Sequence, residues 1–370
     1  MVREHAKAAD KPGQSGQAKS SLVFVCSTGG DSDAGVYSYE FDHARGTLAP
    51  LSSLPMTRPM YLAVHPDGDH LFVVDRNDTG EVVSLELDRS DGTLTPLSRQ
   101  SSAGPGPCYV SADASGQFVF AANYDAGTVA MLPVDEEGYL GPPSDVVDHG
   151  RLDAGRNPQP EPHPHAIVPG PRNRFVYVPD LGLDRVVAYR IDAEAGRLVP
   201  APDLDVELPA GSGPRHLEFG PGGDEAFLVN ELNSTLTRLS VDRRSGGLTI
   251  SETVSVLPVG RSAAENPPAD VHVHPTGRWV FVSIRGHDSI ATFAVADDGL
   301  ALVGHESTRG QKPRDFAVDP TGRWLLAENR DSHRVVPFAI DADAGGLSPT
   351  ADETAIGKPT CAVFVVRERR

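Results

Sequence analysis

The chain reads as all-β, a seven-bladed β-propeller whose ring is closed by N- and C-terminal strands sharing one blade. Three observations predict it. A proline-led strand–turn–strand unit recurs six times, an Asp…Gly-Leu marker recurs seven times, and the two ends carry complementary halves of one more unit. With 37 Gly and 32 Pro in 370 residues, turns punctuate the chain at the short intervals that an array of strands requires.

The units follow in order. Pro59-Met60-Tyr61-Leu62-Ala63-Val64 turns at His65-Pro66-Asp67-Gly68 and enters Leu71-Phe72-Val73-Val74. Pro107-Cys108-Tyr109-Val110 turns at Ser115-Gly116 into Phe118-Val119-Phe120, and Pro164-His165-Ala166-Ile167-Val168 passes Gly170-Pro171 into Phe175-Val176-Tyr177-Val178. Pro214-Arg215-His216-Leu217 turns at Pro221-Gly222-Gly223 into Ala226-Phe227-Leu228-Val229. Pro268-Ala269-Asp270-Val271 leads through Pro275-Thr276-Gly277 to Trp279-Val280-Phe281-Val282, and Pro313-Arg314-Asp315-Phe316 leads through Pro320-Thr321-Gly322 to Trp324-Leu325-Leu326. A third apolar strand follows each pair and ends in the marker, as in Asp42…Gly46-Thr47-Leu48 and Asp341…Gly346-Leu347. Trp279 and Trp324 stand on equivalent strands and read as core.

The seventh unit is divided. Ser21-Leu22-Val23-Phe24-Val25 begins in a second strand, and Pro359-Thr360-Cys361-Ala362-Val363-Phe364-Val365-Val366 is a first strand with nothing after it. Pairing the two closes the ring and removes the exposed edges that an open array would leave. One domain over 21–366 is therefore expected, with a disordered polar leader at 1–20 and a charged tail at 367–370.

Composition narrows the function. A net charge of −18 argues against nucleic acid as partner, because phosphate backbones are bound by basic patches. No apolar run reaches the roughly 18 residues of a membrane span. Cys26, Cys108 and Cys361 form no CxxC pair and read as buried thiols. Residues 1–20 lack the apolar stretch of a signal peptide, so a cytoplasmic protein is expected, a monomer or weak homo-oligomer. The sequon Asn233-Ser234-Thr235 is then without consequence. GxSxG, P-loop and dinucleotide fingerprints do not occur, which leaves serine hydrolysis and nucleotide chemistry unsupported.

Two repeat positions are chemically loaded. The first follows the entry proline: His165, Arg215 with His216, Asp270, and Arg314 with Asp315. The second lies in the loop after the second strand, where Asn77, Tyr124, Leu181, Glu231, Arg285 and Arg330 align. Equivalent positions of successive blades converge on one end of the central channel. A histidine, a carboxylate and several arginines there suit an anionic substrate and acid–base chemistry. The histidines at 163, 165, 272 and 274 could indicate a metal, but His274 fills the turn slot that His65, Gly220 and Asp319 fill elsewhere, so no metal is assigned.

Several blocks resemble the seven-bladed propeller lactonase family, which includes 6-phosphogluconolactonases and a carboxymuconate-lactonizing enzyme. They are Pro162-His163-Pro164-His165-Ala166, Pro179-Asp180-Leu181-Gly182-Leu183-Asp184, Gly213-Pro214-Arg215-His216, Asn230-Glu231-Leu232-Asn233-Ser234-Thr235 and Ser283-Ile284-Arg285-Gly286-His287-Asp288-Ser289. The resemblance runs over about 21–366. It implies an enzyme without a cofactor, with His165, Arg215, Glu231 and Arg285 as the catalytic group. His163, His216, Asp270, His287, Arg314 and Arg330 are then the candidates for substrate contact. The expected reaction is hydrolysis of a sugar lactone, foremost 6-phosphogluconolactone to 6-phosphogluconate in the pentose phosphate pathway, with Glu231 or His165 activating water. Another lactone, a cycloisomerase reaction and a non-catalytic binding propeller are the alternatives. A Pro- and Asp-rich insert at 141–161 departs from the repeat and is expected to shape the channel mouth.

Overall fold

The computed structural model describes residues 20–29, 34–152 and 161–367. They form seven antiparallel sheets of four or five strands, one per expected blade. Blades 1 to 6 begin with innermost strands at Pro59–Val64, Pro107–Ala112, Val168–Pro169, Pro214–Phe219, Pro268–Val273 and Pro313–Val318. In the closing blade the innermost strand is Pro359–Val366, which pairs with Ser20–Ser27, then Gly35–Asp42 and Thr47–Pro55. No helix among the described residues is long and apolar enough to cross a membrane.

The inner strands read as continuous apolar runs because both faces of each sheet are covered there. In Ser20–Ser27, Leu22, Phe24 and Cys26 face blade 1 while Val23 and Val25 face blade 6. Seven apolar clusters result, each filling one seam between adjacent blades. All three cysteines are buried and free.

Some expected boundaries shift. Residues 1–19 of the expected leader lie outside the described residues, while Ser20 already pairs with Asp42. The expected tail is represented by Arg367, which is tied down: it bonds Glu40 at 2.9 Å and the carbonyls of Arg89 and Ser90. The expected insert at 141–161 contains the outermost strand of blade 2, Asp145–Asp148, so only its later part departs from the repeat. Residues 153–160 lie outside the described ones.

One irregularity aims the site. In six innermost strands the pairing register shifts by one residue just after the entry proline. In blade 3 the same shift separates the Pro164–Asp180 bridge from the Val168–Tyr177 pair. Proline has no N–H to give the ladder, and the bulge leaves the next residue unpaired and turned aside. Those residues reach toward the next blade around the ring. Arg215 bonds the Ala269 carbonyl, Cys108 approaches His165, and Thr360 bonds the Pro59 carbonyl at 3.3 Å.

Candidate active site

Blade entries are pinned before they bulge. Asp184, in the left-handed region at φ 52°, accepts from the Gly213 N–H at 2.7 Å, just ahead of Pro214 and Arg215. Asp288, at φ 53°, accepts in the same way from Lys312 at 2.8 Å, ahead of Pro313 and Arg314. Aspartate tolerates this backbone region and caps it with its own side chain. Each of these loops therefore fixes an arginine on the following blade.

Arg215 is 1% exposed, among the largest fully buried side chains. Its Nε lies 3.1 Å from Glu231 Oε2, and its Nη1 donates to Ala269 O. The same Glu231 oxygen takes Arg285 Nη2 at 2.8 Å. Arg285 is held in turn by the carbonyls of Pro267 and Pro268, at 3.2 and 2.8 Å. Burial acts to raise the Glu231 pKa, but Arg285 and Arg215 overcome it and hold the carboxyl below its ordinary range. Glu231 is thus an ionised strut between two guanidinium groups.

Arg314 differs from both. Among the described residues its guanidinium has no ion-pair or hydrogen-bond partner. Burial first, then repulsion from Arg215 and Arg285, brings its pKa down to about 9. Arg330 extends the same positive surface outward; it is about one-third exposed and only 3.8 Å from Asp331.

His165 is buried beside these groups, its N–H bonded to the Pro179 carbonyl at 2.9 Å. Its ring is 5.2 Å from His216 and 5.3 Å from Tyr124, centre to centre, and Nδ1 is 3.9 Å from Cys108 Sγ. Burial, then the charges of Arg215, His216 and Arg314, pushes its pKa well below the ordinary histidine value. It is neutral at pH 7 and keeps a lone pair. His163 stacks on Tyr124 at 4.4 Å and bonds that residue's carbonyl, which places it at the edge of the same group.

Beneath the arginines lies a polar chain. His216 Nδ1 is 2.6 Å from Asp270 Oδ1, Asp270 Oδ2 is 3.1 Å from His272 Nε2, and His272 Nδ1 is 2.6 Å from Glu218. Burial would lower the His272 pKa, but Glu218 and Asp270 raise it well above the usual value, so His272 is a cation. Burial followed by the Asp270 charge raises Asp315 and Glu328 far above the carboxylate range, so both are protonated. His216 is neutral, its pKa lowered to about 4 by burial and Arg215. Asp270, His272 and Asp315 offer ligand atoms within 4.8 Å of one another, the set here that could hold a metal.

The structure therefore brings His165, Arg215, Glu231, Arg285 and Arg314 together, with His163 and Arg330 at the margin. Asp270 and His216 belong to the layer below, because the oxygens of Asp270 face His216 and His272. His287 points elsewhere: its Nδ1 meets Ser289 Oγ at 2.7 Å, and its ring packs against His305 on the outermost strand of blade 5. The turn bends between the two, with Gly286 at φ +86°, so His287 leaves the side that Arg285 faces. Sequence reasoning missed the stacked pair Tyr61 and Tyr109, both within 6 Å of His216, although both stand two residues after an entry proline. It also missed Glu328, a buried carboxylate that follows the apolar run Trp324–Ala327.

Comparisons with known proteins agree with this architecture. A family profile described as "Lactonase, 7-bladed beta-propeller" matches residues 22–364. The 6-phosphogluconolactonases of Sodalis glossinidius and Yersinia enterocolitica are each 33% identical over 198 residues, 53% of this chain and 56% of theirs. The chain thus matches about half the length of these curated relatives. Among solved structures, the periplasmic gluconolactonase of Pseudomonas aeruginosa superposes with a TM-score of 0.86 at 32% identity, covering 94% of this chain and 99% of that one. A Lactobacillus plantarum protein reaches 0.83 at 31% identity, covering 93% and 99%. Fold and channel thus define a propeller of the lactonase class. The chain belongs to the seven-bladed β-propeller lactonase family.

Proposed function

We propose that this chain hydrolyses 6-phosphogluconolactone to 6-phosphogluconate, a step of the pentose phosphate pathway, in the cytoplasm. The observation that carries the substrate is Arg314, a partly buried guanidinium with no ion-pair partner among the described residues, beside two further arginines. Such a fork favours a bidentate oxyanion. The names of the Sodalis and Yersinia relatives support the same reading.

In this reading Arg314 and Arg330 take the phosphate. Arg215 and Arg285, aligned by Glu231, polarise the lactone carbonyl and stabilise the oxyanion that forms on it. Neutral His165 accepts a proton from water as the oxygen attacks the carbonyl carbon. The C–O bond to the ring oxygen then breaks, and His165 returns the proton to that oxygen. Glu231 shares one oxygen between two arginines, so it orients them while His165 moves the proton.

The test compares turnover of freshly generated 6-phosphogluconolactone with that of unphosphorylated gluconolactone. Preference for the phosphorylated lactone is expected, and Arg314→Ala should raise its KM about tenfold or more while leaving the unphosphorylated lactone nearly unchanged. Equal turnover of both lactones would instead favour the activity named for the Pseudomonas relative. No turnover of either would remove the reading.

A pH profile tests the base. His165 is active when neutral, and its pKa lies well below the ordinary value. The rate should therefore stay flat across neutral pH and fall only at pH well below the ordinary histidine range. An acid limb centred near 6.5 would point to a solvated histidine instead.

A further inference from the structure

The turn between the first two strands of blade 1 breaks a pattern that the other polar turns obey. In blade 5, His274 Nε2 donates to the Gly322 carbonyl of blade 6 at 2.8 Å, while Nδ1 meets the Thr276 hydroxyl at 2.7 Å. In blades 2 and 6 the same slot holds Asp113 and Asp319, which accept from the hydroxyls of Ser115 and Thr321. Each of these acceptors faces a donor two residues on.

Blade 1 repeats the blade 5 arrangement with one change. His65 Nε2 bonds the Gly116 carbonyl of blade 2 at 3.0 Å. A carbonyl only accepts, so Nε2 carries a hydrogen and Nδ1 is the atom that faces the turn. It receives the Asp67 N–H at 3.3 Å, as His274 receives that of Thr276 at 3.2 Å. Where blade 5 has a hydroxyl, however, blade 1 has the carboxylate of Asp67, with Oδ2 only 2.8 Å from His65 Nδ1. His70 Nδ1 lies 2.7 Å from the same oxygen. The other oxygen, Oδ1, is already bonded by the N–H groups of Asp69 and His70 at 2.7 and 3.2 Å. Asp67 Oδ2 thus faces two imidazole nitrogens at once, and a proton or a cation belongs between them.

We propose that His65 Nδ1, Asp67 Oδ2 and His70 Nδ1 form a binding site for a divalent transition metal of the Zn2+ class. These three atoms lie within 4.8 Å of one another. Two imidazoles and a carboxylate, with water in the fourth position, are a ligand set zinc accepts. The outer contacts are those of metal sites: a backbone carbonyl fixes the His65 tautomer, and backbone N–H groups fix the carboxylate. Tetrahedral zinc with bonds near 2.0–2.1 Å spaces its ligands by roughly 3.3 Å, so the rings need to open by only about half an ångström. The side chains are 14%, 36% and 13% exposed, which leaves a path for the ion.

The site lies at the opposite end of the innermost strand from the arginine cluster. Six strand residues, at roughly 3.3 Å each, put about 20 Å between the two levels. Its role is to clip the blade 1 turn onto blade 2 through His65 and Gly116. Gly116 has φ +73°, and a Cβ there would fall 2.2 Å from His65 Nε2, so the seat for the ring exists only with glycine.

The test uses the full chain after EDTA treatment and dialysis, titrated with ZnCl2 by calorimetry beside Asp67→Thr. Threonine is the blade 5 residue and donates to the histidine, so this variant keeps the latch and loses the metal ligand. The wild type is expected to bind one more equivalent of Zn2+ than Asp67→Thr, and its melting midpoint should rise by a few degrees with the metal while the variant's does not. Counting the difference separates this site from Asp270, His272 and Asp315, which both proteins share. His70→Ala should lose the same equivalent. Equal stoichiometry in wild type and Asp67→Thr would overturn the proposal. So would an absence of binding by the wild type at Zn2+ on the order of 0.1 mM, which would leave a proton as the charge in the gap.

Discussion

Arg215→Ala is expected to lower kcat/KM on the lactone by two to three orders of magnitude, the scale seen when one oxyanion donor is removed. The same change should destabilise the fold, because Arg215 is 1% exposed and joins blades 4 and 5 through Glu231 and Ala269 O. Breaking a buried ion pair costs about 3–5 kcal/mol, and the lower end applies here because Glu231 keeps Arg285. Lysine should not rescue it, since it retains the charge without the planar fork that serves Glu231 and the carbonyl together. Arg243, exposed at the rim of blade 4, is the control and should tolerate alanine. Steady-state kinetics and urea denaturation check both parts. Near-wild-type values in both would remove Arg215 from the site.

The second large effect concerns the closing blade. Deleting residues 359–367 should leave the chain unable to fold, because it strips the innermost strand from its own blade and opens two seams. Cys361 and Val365 leave the cluster shared with blade 1, and Ala362 leaves the one shared with blade 6. Phe364 and Val363 lose their packing as well. A buried side chain of this kind contributes about 1.5–3 kcal/mol, so several together rival the 5–15 kcal/mol of a whole domain. Circular dichroism and gel filtration should show an aggregated or unfolded product. A cooperative, monomeric truncated protein would mean the ring tolerates an open blade.

The fold was legible because its signals repeat. The inner strands of each blade are largely apolar on both sides, each entry carries a proline, and the two incomplete units fit each other. Much of the site was legible for the same reason: His165, Arg215 and Arg314 share one repeat position, and Glu231 and Arg285 share another. What stayed hidden is geometry at single-residue scale. The letters after the entry proline show that the chemistry varies there, but not that a register slip turns those side chains toward the neighbouring blade. Asp270 looks equivalent to its neighbours in the alignment, yet its depth gives it to His216 and His272. His287 is two residues from Arg285 in sequence, and loop curvature sends it toward His305 on the outer strand. Residues 145–148 looked irregular because Pro and Asp surround a short strand whose identity depends on pairing with Thr128–Pro133.

The divided closing blade also sets an order of events during synthesis. Ser20–Ser27 is made more than 300 residues before its innermost partner, Pro359–Val366. Until Pro359–Val366 has been made, the early strand presents an unpaired edge and an apolar face, the features that invite association with other chains. Intermediate blades can form in turn as they emerge, each on its own hairpins. The ring cannot lock until Pro359–Val366 has emerged, so the nascent chain before that point is the state most exposed to misassembly and the one in which chaperones would matter most.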